Sequence, residues 1–150
     1  MNIQRISAGV VTSLVLALTT LSAHALDYRS VTAPAIMYDS PSNKGKPLYI
    51  INAGTPVEAL VPMEGWIKVR DMQGTLAWIE KKNLSEKRML LVRADRAQIR
   101  KEADDKSALV FETERDVVLE MLAPVSNGWV QVKHRDGQSG FVRVQQVSGL

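Results

Sequence analysis

Gly65-Trp66-Ile67-Lys68-Val69-Arg70, then Gly74, then Ala77-Trp78-Ile79, returns later in the chain as Gly128-Trp129-Val130-Gln131-Val132-Lys133, then Gly137, then Gly140-Phe141-Val142. Every matched pair lies 63 residues apart. A fixed period on this scale decides the architecture before any single residue does: one structural unit is used twice. The unit is a hairpin. Trp66 to Arg70 alternates apolar and polar residues, Asp71 to Gly74 turns the chain, and Leu76 to Ile79 returns. Asp136-Gly137 supplies the turn signal in the second copy.

Working outward, Val31 to Asp39 opens the first module, Ser40 to Pro47 is a surface loop, and Leu48 to Ile51 and Val57 to Val61 are strands. In the second copy Leu90 to Ala94 is a strand. At the same spacing, Gln98-Ile99-Arg100 answers Ala35-Ile36-Met37. Val110-Phe111 answers Leu48-Tyr49, and Val117 to Leu122 answers the strand ending at Val61. Glu80 to Arg88 is charged and aperiodic, a short connector with its break near Ser85. No helical apolar period occurs beyond the N-terminal run, and turn signals recur every eight to twelve residues or so, which predicts an all-β protein. A barrel of about 60 residues buries only about 60% of its unfolded surface. Two such barrels, closely joined, should touch or at least restrict each other's orientation.

The N-terminus reads as an address. Arg5 precedes the apolar run Ile6 to Leu21, and Ala23-His24-Ala25 is a small-x-small cleavage signal, so residues 1–25 are expected to be a secretory signal peptide. The apolar run is short for a membrane span and no basic stop-transfer cluster follows it, so no stable membrane insertion is expected after cleavage. The predicted layout is 1–25 signal peptide, 26–84 module one and 85–150 module two, in a secreted, periplasmic protein. Of the 150 residues, Arg5 is the one charge removed with the leader, so the net charge falls from +3 to +2. That is too weak a balance to point to nucleic acid. The sequence has no Cys, which excludes disulfides, thiol catalysis, thiolate metal sites and a lipoprotein anchor.

Catalysis is not expected. His134 is the one histidine beyond the leader, between Lys133 and Arg135 beside a turn, and it reads as a solvated turn residue. A general base needs an orienting partner and a zinc site needs three or four ligands, so no catalytic centre, metal or cofactor is predicted. Asp104 and Asp105, adjacent in a polar loop, read as solvated. The tryptophans say more. Strand side chains alternate between faces, so Ile67 and Val69, like Val130 and Val132, point to the core. Trp66 shares the other face with Lys68 and Arg70, and Trp129 shares it with Gln131 and Lys133. An outward aromatic can anchor a ligand, cover a barrel end or pack between modules. Trp78 and Phe141 read as buried or rim residues.

The Gly-Trp-x-x-Val hairpin, the Gly eight residues after each Trp and the aromatic-aliphatic return strand resemble bacterial Src homology 3 (SH3-like) domains. Val31-Thr32-Ala33, Ile36 and Pro41 fit the start of that family. The resemblance covers nearly all of the chain beyond the leader, once per module. It implies two consecutive small SH3-like β-barrels preceded by a signal peptide. There are departures. Ala77 stands where the family usually has Gly, which Gly140 keeps, and the loops after Ile36 and Ile99 diverge from the usual pattern. The family's members are often attached to cell-wall hydrolases, which they target to peptidoglycan or its stem peptides; others act in protein contacts. The resemblance therefore implies a non-enzymatic binding protein for cell-wall peptide or glycan, or an adaptor for an envelope protein. Tyr38 lies where such a groove has a loop aromatic and could form an aromatic slot with Trp66. Module two has Lys101 there, beside Arg100; the pair reads either as a solvated loop or as a site for an acidic group such as a stem-peptide carboxylate, with Trp129 the outward aromatic candidate of that module.

Overall fold

Short runs that alternate apolar and polar residues, with turn residues between them, pair into sheets here almost without interruption. The computed structural model describes residues 25–150. The leader assigned to residues 1–25 lies, apart from Ala25, outside the described residues. Strands β1 (Tyr28–Val31), β2 (Ala35–Tyr38), β3 (Pro47–Ile51), β4 (Pro56–Met63), β5 (Trp66–Arg70), β6 (Leu76–Glu80) and β7 (Leu84–Ser85) form one antiparallel sheet, in the order β3-β2-β6-β5-β4-β1-β7. Strands β8 (Met89–Val92), β9 (Arg96–Arg100), β10 (Leu109–Glu114), β11 (Val118–Met121), β12 (Trp129–Lys133), β13 (Ser139–Arg143) and β14 (Val147–Ser148) repeat that order as β10-β9-β13-β12-β11-β8-β14. A single 3-10 turn precedes the last strand of each sheet, at Lys81–Asn83 and Val144–Gln146. Two SH3-like domains thus stand in tandem.

Alternation builds each core. Val31, Met37, Val57, Val69 and Ile79 are fully enclosed in the first, and Val92, Ile99, Leu119, Val132 and Val142 in the second. The connector is more ordered than its charge suggests. Leu84 and Ser85 pair with Val31 and Ser30 and close the first sheet, leaving Glu86 to Arg88 between the two sheets.

The repeat spacing is uniform only at the hairpins. Ala35 pairs with Ile51 and Met37 with Tyr49; in the second module Ala97 pairs with Thr113 and Ile99 with Phe111. Here the true spacing is 62, because the second module has one more residue between Val92 and Ala97 than the first has between Val31 and Ala35. It has another between Met121 and Trp129, which restores 63. Ile36 is therefore not the counterpart of Ile99. It lies outward, 43% exposed, while Met37 next to it is fully buried. By the same register Tyr38, beside Trp78, corresponds to Arg100, beside Phe141. Lys101 is not in that place; it is an exposed loop residue whose N–H donates to the Ala108 carbonyl. The departure at Ala77 also finds its reason. A Cβ on Gly140 would fall 2.5 Å from the Arg100 carbonyl oxygen, so the second sheet needs glycine there, whereas the first accommodates Ala77 in its core.

The modules touch. Arg88 donates to the Gly149 carbonyl at 2.8 Å and lays its guanidinium 5.6 Å from the Tyr28 ring centroid. Glu86 pairs with Arg29, and Val118 and Met89 lie over Gly54.

The shifted register generates a mutational contrast between neighbours. Met37→Ala should leave a cavity and cost about 2–5 kcal/mol, whereas Ile36→Ala should cost about 0.5–1 kcal/mol through its cross-strand pair with Ile50. Thermal melts of the two variants check it.

Candidate functional site

The outer face of β2, β6 and β5 gathers the aromatics that the core excludes. Tyr38 pairs with Trp78, Trp78 with Lys68, and Trp66 with Glu80. Tyr38 and Trp66 meet edge to face, ring centroids 5.4 Å apart and planes at 87°. Lys68 Nζ lies 6.0 Å from the Trp78 centroid. All three rings are half-exposed. The expected pairing of Tyr38 with Trp66 is thus present, and Trp78 extends it on the rim. Two flat apolar rings at right angles form a notch that accepts a small apolar group, with a cation and a carboxylate at its edge.

The matching face of the second module differs. Trp129 is not an outward anchor; only 5% of it is exposed. The cause is the residue opposite. Trp66 faces Glu80, whose carboxylate turns to Lys82, but Trp129 faces Arg143. The Arg143 guanidinium covers the ring at 4.3 Å from its centroid and is held in turn by Asp105. Asp105, read from sequence as merely solvated, is engaged across 38 residues of chain. The hydrogen bond from Arg143 holds its carboxyl below the usual range, and the charge of Arg100 acts in the same direction. Arg100 itself is half-buried and committed, donating to the Ser107 carbonyl at 2.8 Å and to Gln98 Oε1 at 2.7 Å. Beside Trp129 lies a hollow of about 250 Å³, lined by Pro124, Asn127, Gln131 and Phe141 among others. The structure therefore brings Arg100 and Trp129 to one face, leaves Lys101 outside it, and adds Arg143 and Asp105. Strand alternation places Arg143 on the Trp129 face, but nothing in the sequence pairs it with a loop aspartate so far away.

Neither tryptophan lies between the modules, whose contact is built from Tyr28, Gly54, Arg88, Met89 and Val118. A larger cleft, about 850 Å³, opens at that junction beside Met89, Val118 and His134. Two of its cations are already matched, since Glu120 accepts from Lys87 at 3.2 Å and lies 3.3 Å from Lys133. His134 is not a free turn residue. It takes the place of Asp71, whose carboxylate accepts from the Gln73 and Thr75 N–H groups and from the Tyr49 hydroxyl at 2.8 Å. Burial, then that hydrogen bond, pushes the Tyr49 phenol well above its ordinary value. In the second module Phe111 replaces Tyr49 and packs on His134, ring centroids 5.8 Å apart. The turn is held instead by Asp136. The Gln138 backbone N–H, then its side chain and His134, bring the Asp136 carboxyl down to about 2. Among the described residues no three His, Asp or Glu side chains converge as a metal would require, and no helix is long and apolar enough to cross a membrane.

A profile of the bacterial SH3 domain matches residues 31–86 and again residues 93–149. The chain belongs to the bacterial SH3 domain family. Among solved structures it is similar to NlpC2 from Trichomonas vaginalis, at 16% identity and a TM-score of 0.37, over 85% of this chain and 49% of that one. It is similar also to an NlpC/P60 family protein from Bacillus cereus, at 13% identity and 0.38, over 81% and 55%. The chain spans about half the length of these structures. Comparison with curated proteins gives no match.

The two tryptophans should respond differently to truncation. Trp129→Ala should cost about 3–5 kcal/mol, and Trp66→Ala about 1–2 kcal/mol; denaturant unfolding of each separates the covered ring from the outward one. Asp136 sets a pH dependence. Its folded carboxyl lies below the ordinary 3.8, so its stabilisation is complete above that value and is lost as the pH falls through about 2. Asp136→Asn should lower the melting temperature near neutrality, and the gap from the parent should close between about pH 4 and about pH 2. A melting series across that range checks the sign.

Proposed function

We propose that this is an exported, non-enzymatic tandem SH3-like protein that recognises peptidoglycan or its stem peptides, with the first module as the principal reader. Membership of the bacterial SH3 domain family supports binding at the cell wall. The observation that carries the reading is the right-angled pair of Tyr38 and Trp66, held on rigid strands with Trp78 and Lys68 beside it. Rings fixed by a sheet lose little entropy when a ligand arrives, and notches of this kind receive extended peptides. The periplasm is the compartment that the leader and this ligand class have in common.

Co-sedimentation of the chain lacking residues 1–25 with purified peptidoglycan tests the proposal. Trp66→Ala should weaken retention by about 2 kcal/mol, roughly thirtyfold, without unfolding the domain. Retention unaltered in that variant would move the site elsewhere, and no retention at all would end the reading.

One observation favours an adaptor for an envelope protein instead. β3 is an edge strand without a charged residue, and Leu48 and Ile50 lie exposed on it beside Ile36. An apolar edge of that kind can take an added strand from a partner. Capture of an envelope protein that is lost when Ile50 is replaced by Lys, with no retention on peptidoglycan, would select this alternative.

A further inference from the structure

The second module already holds a carboxylate against its covered tryptophan. Arg143 Nε donates to Asp105 Oδ1 at 3.1 Å, and Nη2 donates to Oδ2. This is the two-point, fork-on-fork geometry by which an arginine reads a carboxylate. The guanidinium is backed by the Trp129 ring, which fixes its plane before anything binds.

Asp105 is weakly tied to its own end of the pair. It lies on a loop whose residues 101–106 are all exposed, and its side chain is 64% accessible. An exposed pair of this kind is held loosely. The first module has nothing equivalent, since Glu80 stands in the place of Arg143. Trp129, which carries the guanidinium, also lines a hollow that neither Arg143 nor Asp105 lines and that has no charged side chain in its wall. Phe141, Pro124 and Ala103 give it apolar walls, and Asn127 and Gln131 give it amide groups. At about 250 Å³ it has room for two or three small residues. Amides that can bond a peptide backbone and apolar walls for methyl groups, separated from a carboxylate fork by the width of the Trp129 ring, suit the end of a short peptide.

We propose that Arg143, seated on Trp129, is the carboxylate receptor of the second module, that Asp105 is its displaceable internal occupant, and that the ligand is a short peptide with small side chains and a free terminal carboxylate. This rests on the cell-wall peptide reading of the preceding subsection and names the ligand group for the second face.

The test follows the Trp129 indole N–H signal by NMR in the isotopically labelled chain lacking residues 1–25, titrated with trialanine, with trialanine amide and with glucuronate. Trialanine should shift the signal and the amide should not. Asp105→Asn, which removes the competing charge, should tighten trialanine binding by about two- to fivefold. Arg143→Lys, which keeps the charge but loses the fork, should abolish most of it. Equal shifts from trialanine and its amide, no shift from either, or unchanged affinity in Asp105→Asn would overturn the proposal. Glucuronate binding as well as trialanine does would overturn the peptide assignment. The Asp105→Asn arm stands even where a change at Arg143 disturbs folding. The two readings fail separately. Peptidoglycan retention without a trialanine shift sinks the receptor and keeps the cell-wall reading; a carboxylate-dependent shift without retention does the reverse.

Discussion

A five-residue strand has two faces, and everything here depends on how β5 and β12 divide theirs. Each core is small, so its two central positions on those strands must be filled by Ile67 and Val69, or by Val130 and Val132. That requirement forces Trp66 and Trp129 to the other face, whatever their own preference for burial. A tryptophan there must find cover from its neighbours or offer itself to a ligand. The first module leaves the ring half-open against Tyr38. The second covers it with Arg143. One repeat has therefore produced two surfaces of different chemistry on one scaffold.

The hairpins were legible because their spacing is set by hydrogen-bonded turns, which tolerate no drift. The strands before them were less so. A single extra residue after Val92 turns β9 by one position relative to β2, and in a structure of period two that exchanges inside for outside. Matching Ile36 with Ile99 looks natural as letters and is wrong as geometry, since the buried neighbour is Met37. The same slip misplaced Lys101 where Arg100 belongs. Burial of Trp129 was unreadable for another reason: it comes from Arg143 lying across the ring, a guanidinium that in turn pairs with a loop carboxylate 38 residues earlier, a contact that no periodicity announces. His134 was read by its flanking charges, whereas its role comes from the position it inherits from Asp71.

Sequence drift between the copies follows the division of labour. Most core positions keep an apolar residue at the same depth, although buried Ile51 gives way to buried Thr113 and Ala77 to Gly140. Interactions that hold turns change partner without changing purpose, as when the Tyr49–Asp71 bond gives way to Phe111 on His134 with Asp136 capping the turn. The outward face changes its chemistry altogether, from aromatic to guanidinium-carboxylate, because nothing in the fold constrains it.

The bond from Arg88 to the Gly149 carbonyl joins the linker to the far end of the chain, and Val118 and Met89 lock over Gly54 beside it. With only Glu86 to Arg88 between the sheets, the two outward faces are tethered by a short span of chain. For a polymer that repeated its recognition group, docking on one face would present the next group to the other at a high local concentration, set by the short tether. A ligand engaged by both faces would be read for the spacing of its groups as well as for their chemistry.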